Sequence, residues 1–199
     1  MLLLGNLPTR VDIGGTKVSI NPGHRAGVEF TSVLENCSVS DEVKLTAALN
    51  IYYGAKDVKR CDNAALIKAA LDFYLYSPAA HYGRTKAALA KGAARRKPKQ
   101  LISYAKDDAL IYAAFMQVYG IDLAVTDIHW HKFRALIEGL TSNTQLVKVM
   151  RYRGAKLGDL TAEERKHYKE MQEYYSLEQI SDDEAERLTA LEEKLMNMG

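Results

Sequence analysis

The hydrophobic period changes once along this chain, near residue 22. Before it, Val11 and Ile13 alternate with Asp12, a Gly14-Gly15 pair follows, and Val18 and Ile20 alternate with Ser19. Two short period-2 runs around Gly-Gly read as a β-hairpin. After residue 22 the apolar residues recur at spacings of three and four, the signature of helices that bury one face. A two-stranded hairpin is marginal alone in water, so it must pack on those helices. The fold class expected is therefore mainly α, with a small N-terminal hairpin.

The helical stretch falls into segments with their own start and stop signals. Ala26, Phe30, Val33 and Leu34 share a face of the first helix. Ser40 offers an N-cap, with Asp41 and Glu42 placed where a helix dipole favours negative charge, ahead of a stripe of Leu45, Ala48, Leu49 and Tyr52. A third helix over 62–76 would turn Ile67, Ala70, Leu71 and Tyr74 inward, with Pro78 at or just past its end. Beyond Tyr104, Ile111, Ala114, Phe115 and Val118 form the next face, and Gly120 stops it. Thr126 or Asp127 is the expected cap of the following helix, on which His129, Trp130, Phe133, Leu136, Ile137 and Leu140 fall within one broad face. Ser-x-x-Gln from Ser142, Thr-x-x-Glu from Thr161 and a third box from Ser181 to Glu184 read as capping boxes.

Charge divides the chain further. Arg84, Lys86, Lys91, Arg95, Arg96, Lys97 and Lys99 form a block of seven cations without an acid between them. The total of +2 hides an asymmetry. Residues 1–158 carry 22 Lys+Arg against 13 Asp+Glu, whereas residues 159–199 carry 5 against 12. The organisation expected is a hairpin over 1–21, a first helical half over 22–76, a basic linker over 77–103, a second helical half over 104–177 and an acidic helical extension over 178–199. Leu188, Leu191, Leu195 and Met198 give that extension a seam of about two heptads, which suits self-association or packing onto its own domain. The cationic block reads first as a solvated linker; contact with a nucleic-acid backbone is the weaker reading, and docking to an acidic protein surface is a third.

Signals for chemistry are sparse. Cys37 and Cys61 stand apart with no zinc-ligand spacing, as two reduced cysteines in a cytosolic protein would. No GxGxxG, GxxxxGK[ST], HExxH or GxSxG motif occurs. On a helix, His129 and His131 would point about 200° apart and could not share an ion. Asp107 and Asp108, diverging by about 100°, suit the first turn of a helix better than acid–base work. Neither a signal peptide nor a membrane span is expected. The expectation is a protein with no catalytic residue, no metal and no cofactor. The 12 tyrosines suit half-buried positions and protein interfaces, with stacking on single-stranded bases as the alternative.

Two stretches carry a resemblance. The run from Asp108 to Leu123 contains Ile111-Tyr112-Ala113-Ala114-Phe115 and Tyr119-Gly120-Ile121-Asp122-Leu123, and residues 129–140 begin His-Trp-His-Lys-Phe-Arg. Both resemble the bacteriophage gene-product-fifteen family of tail-module proteins from phages and prophages of Gram-positive bacteria. The family pattern has a second tryptophan where this chain has His131, a position expected to face away from the main apolar face. Weaker agreement covers the hairpin, Arg25 and the segment ending Tyr152-Arg153. The resemblance implies a phage or prophage tail-assembly factor, acting as a chaperone that binds the tape-measure protein in the host cytoplasm. A structural component retained in the finished virion tail is the alternative. The partner contacts expected are Trp130, Phe133, Arg134 and Tyr119, with Arg95, Arg96 and Lys97 from the basic block.

Overall fold

A computed structural model of the chain describes residues 7–36, 40–53, 62–75 and 100–177. The cationic block with Arg95, Arg96 and Lys97, the acidic extension from 178, Ser181, both cysteines and the end of the third helix lie outside the described residues.

Strands β1 (Arg10–Ile13) and β2 (Thr16–Ser19) pair antiparallel, with Val11 opposite Val18 and Ile13 opposite Thr16. Gly14 and Gly15 both have positive φ, 60° and 88°, the backbone that a two-residue hairpin turn requires. Ile13 and Val18 point into the core and the polar residues between them point out. Seven α-helices follow among the described residues: α1 (His24–Glu35), α2 (Asp41–Tyr52), α3 (Asn63–Leu75), α4 (Asp108–Tyr119), α5 (Trp130–Glu138), α6 (Gln145–Gly154) and α7 (Ala162–Tyr174). The mainly helical fold with one small hairpin is thus as expected.

The local signals hold at several ends. Ser40 accepts the Val43 N–H, and Thr161 and Glu164 close a reciprocal capping box. Gly120 ends α4 in the left-handed conformation. Other ends move. α6 is capped by Thr144, not Ser142, and α5 by His129, not Thr126 or Asp127.

One core gathers both helical halves. Phe30, Tyr52, Leu66, Phe115, Trp130, Phe133 and Leu146 are all sealed within it. α1 packs on α2 and also on α5, α2 packs on α3, and α4 packs on α6, which carries α7. The α1–α5 approach is close because of Gly27. A Cβ there would sit 2.2 Å from the Trp130 ring, so only a glycine lets the indole lie on the helix backbone. Some stripe residues are not buried. Leu34 and Leu45 are exposed, and α3 seals Leu66, Ala70 and Phe73 while Ile67 and Leu71 are only half-buried.

Candidate functional site

The His-Trp-His-Lys-Phe-Arg motif turns out to hold the last described turn of α3 by its carbonyls. Tyr74 lies in the last described turn of α3, and the residue four further on is Pro78, which has no N–H to offer its carbonyl. Two side chains donate to that carbonyl. Trp130 donates Nε1–H to the Tyr74 carbonyl at 3.0 Å, and Arg134 donates from Nη1 at 2.9 Å. His131 donates Nε2–H to the neighbouring Phe73 carbonyl at 2.9 Å. Trp130 stacks on the Tyr74 ring at 5.4 Å, with the Arg134 guanidinium 5.9 Å from the indole centre.

This geometry corrects two expectations. His131 is buried and tilted against Phe73 at 4.5 Å, not turned away from the core. His129 precedes the helix, so the divergence of helical neighbours does not apply to it. Its Nδ1 accepts the His131 N–H at 3.1 Å and the two rings meet at 4.8 Å. Burial pushes both imidazoles below their ordinary range, His131 to about 4. Among the described residues, no group of three His, Cys, Asp or Glu is placed to hold a metal ion.

The expected contact residues therefore take distinct places. Trp130 and Phe133 are sealed in the core, each 1% exposed. Tyr119 donates its hydroxyl to the Leu136 carbonyl at 2.8 Å, tying the end of α4 to α5. Arg134 is half-buried on Tyr74. Asp107 and Asp108 do stand at the start of α4, Asp107 at the N-cap position, but the Asp107 side chain makes no cap hydrogen bond; it is the buried partner of Arg153, with Nη1–Oδ2 at 2.6 Å and Nη2–Oδ1 at 2.9 Å.

The surface beside the motif offers a cleft of about 430 Å³. Val28 of α1, Ile111 of α4, Phe133 of α5 and Leu123 give it apolar walls. Tyr104, Tyr112 and Asp108 bring the polar groups. Burial pushes the Tyr104 phenol up to about 12, so it stays protonated at neutral pH. Tyr112 of the cleft lining and Met116 beyond it are exposed one turn apart on α4, and Val125 is exposed next to the lining residue Ala124. An apolar strip thus runs from the cleft along α4.

His24 forms the back of this cleft. The ring is 5% exposed and stacks on Phe133 at 5.2 Å. Its Nδ1 lies 2.8 Å from the Asp127 carboxylate and 3.2 Å from the Ile128 N–H. One nitrogen cannot serve both, and the shorter, charge-assisted contact keeps the proton on Nδ1. Burial outweighs Asp127 and lowers the His24 pKa, leaving a neutral ring at pH 7. Sequence reading missed His24, Val28 and Asp127 as site residues. The cleft walls come from segments some 80 residues apart, and no local pattern links them.

A family model described as Bacteriophage Gp15 protein matches residues 3–177. The chain belongs to this family. The match spans the hairpin, the motif helix and α7, and makes this a phage-related protein. No curated protein and no solved structure matches the chain. Among the described residues of this Gp15-family chain, no helix is long and apolar enough to cross a membrane.

Proposed function

We propose that this chain is a non-enzymatic tail-assembly factor, a chaperone that holds helical segments of the phage tape-measure protein before the tail is built. The observation that carries the reading is the family match over residues 3–177. The α4 surface supports it. A cleft continued by Tyr112 and Met116 at i, i+4 spacing suits the apolar face of a partner helix, which buries anchors at the same spacing. The host cytoplasm is the place of action under this reading, and the finished tail is where the protein would be absent.

The test is co-expression with the tape-measure protein encoded in the same phage or prophage. Co-purification is expected, with the tape measure soluble only when this chain is present. Equal solubility alone, with nothing retained, would sink the chaperone reading. Mass spectrometry of purified tails addresses the alternative: stoichiometric presence there would make the protein a structural tail component.

A further inference from the structure

We infer that the cleft is an anchor pocket for one aromatic side chain carrying a single N–H or O–H donor, flanked by lysine or arginine on a partner helix. The identity of that partner rests on the assembly reading above; the chemistry of the pocket rests on His24 and its surroundings.

With Nδ1–H directed at Asp127, the neutral His24 ring keeps a lone pair on Nε2. No described residue donates to that nitrogen. It is not sealed either: among the described residues, the side-chain polar atom both sealed and unpartnered is the Tyr52 hydroxyl. Nε2 is therefore reached from the cleft that His24 lines. A purely apolar occupant would strip water from this acceptor and leave it unsatisfied. An indole N–H or phenol O–H would replace the water, while Val28 and Leu123, backed by the buried Ile111 and Phe133, take the ring face. The volume lies within the roughly 300–1,000 Å³ range of preformed ligand sites.

The rim decides the charge of the occupant. Asp108 lines the cleft, Asp127 stands behind His24, and Asp122 lies close enough to Tyr112 to raise its pKa. The nearby Arg25 guanidinium, held on the Ala124 carbonyl at 2.7 Å, keeps its charge and acts on His24, so it offsets one of the three acids and leaves the rim net negative. Such a rim attracts a basic segment and repels an acidic one. It disfavours this chain's own residues 178–199, which carry seven acids against two bases. The apolar strip over Ala109, Tyr112 and Met116 continues the pocket at helical spacing, which fits a helix better than a free small molecule.

Three probes separate these features. The full chain is titrated with tryptamine, with 2-(1-naphthyl)ethylamine, which keeps the charge and ring but lacks the donor, and with indole-3-propionate, which reverses the charge. Amide resonances of Ala109, Tyr112, Leu123 and Ala124 are followed. Tryptamine is expected to shift them, and both analogues to bind about tenfold more weakly, the loss of one hydrogen bond or a charge reversal at a rim. Equal binding of the naphthyl analogue, tighter binding of the propionate, or no shift with millimolar tryptamine overturns the inference. Ala109→Trp should fill the exposed mouth, abolish the tryptamine shifts and lower co-purified tape-measure protein at least tenfold at an unchanged thermal midpoint. If that folded variant retains the tape measure as well as wild type, the anchor inference fails and the assembly reading stands. If wild type retains none, the assembly reading fails while the titration still decides the chemistry of the pocket.

Discussion

Arg153 of α6 and Asp107, the residue before α4, form a two-pronged ion pair in the interior, their side chains 6% and 3% exposed. Every nitrogen of the guanidinium and both carboxylate oxygens are engaged. Arg153 also donates to the carbonyls of Leu101 and Tyr175, and Asp107 accepts the Ser103 N–H. One guanidinium thus joins the segment entering α4, helix α6 and the chain leaving α7. Burying two charges is tolerable when their hydrogen-bonding capacity is filled this way.

Breaking one side of the pair should cost more than removing both. Arg153→Met leaves Asp107 buried and unpaired, and a loss of about 3–5 kcal/mol is expected. The double variant with Asp107→Leu should recover a large part of that loss, since neither charge then remains. Urea unfolding followed by Trp130 fluorescence measures both. A single variant as stable as wild type would contradict the buried pair.

Gly27→Ala tests the contact of α1 with the indole. Helix propensity alone would favour alanine by about 1 kcal/mol. The 2.2 Å approach to Trp130 reverses the sign, and a net loss of about 1–3 kcal/mol is expected. The penalty should shrink when Trp130 is replaced by leucine. A stabilising Gly27→Ala in the wild-type background would show that the ring and helix are not in contact.

The buried histidines make stability depend on pH with a definite sign. His131 binds its proton near pH 4 when folded, against an ordinary value of 6.5. The unfolded chain therefore binds more protons in that window, so stability is complete above about pH 6.5 and falls as pH drops towards 4. The loss attributable to His131 is on the order of 3 kcal/mol. His24 and His129, also lowered, act in the same direction. Unfolding midpoints measured from pH 8 to 4.5 should show the decline, and His131→Gln, which keeps a donor for Phe73, should flatten it.

Surface changes on α4 should separate binding from folding. Met116 is 42% exposed, so Met116→Lys is expected to alter stability by no more than about 0.5 kcal/mol. Under the proposed function it should weaken capture of the tape-measure protein, because it places a charge on the apolar strip. A thermal midpoint and a pull-down on the same preparation check both halves of this expectation. Undiminished capture would move the interface off α4.

What could be read from the sequence was local. The Gly14-Gly15 turn, the Ser40 cap, the Thr161–Glu164 box and the Gly120 stop each depend on atoms within four residues, so no distant contact overrides them. Where several neighbours offered the same chemistry, packing chose. Four of the five residues from Thr141 to Gln145 can cap a helix, and Thr144 does because its side chain is completely buried while its hydroxyl accepts the Val147 N–H. Asp127 is taken by the His24 ring, and the Ile128 carbonyl accepts the His24 backbone N–H, so the α5 cap passes to His129. In α3 nearly every position is apolar, so its period names no face, and the partners select Leu66 and Phe73.

The sequence by itself determined the fold class, the helix-forming segments and, through its motif, the family. Hydrophobic period and capping are short-range and written residue by residue. The tertiary structure alone decided what the motif does and where a partner could sit. Trp130, His131 and Arg134 donate to carbonyls of α3 some 60 residues away, and Asp107 meets Arg153 across 46 positions. The cleft joins His24 to Ile111 and Phe133. Such pairings follow from which helix faces close over one another, and that is settled by the whole core rather than by any stretch of it.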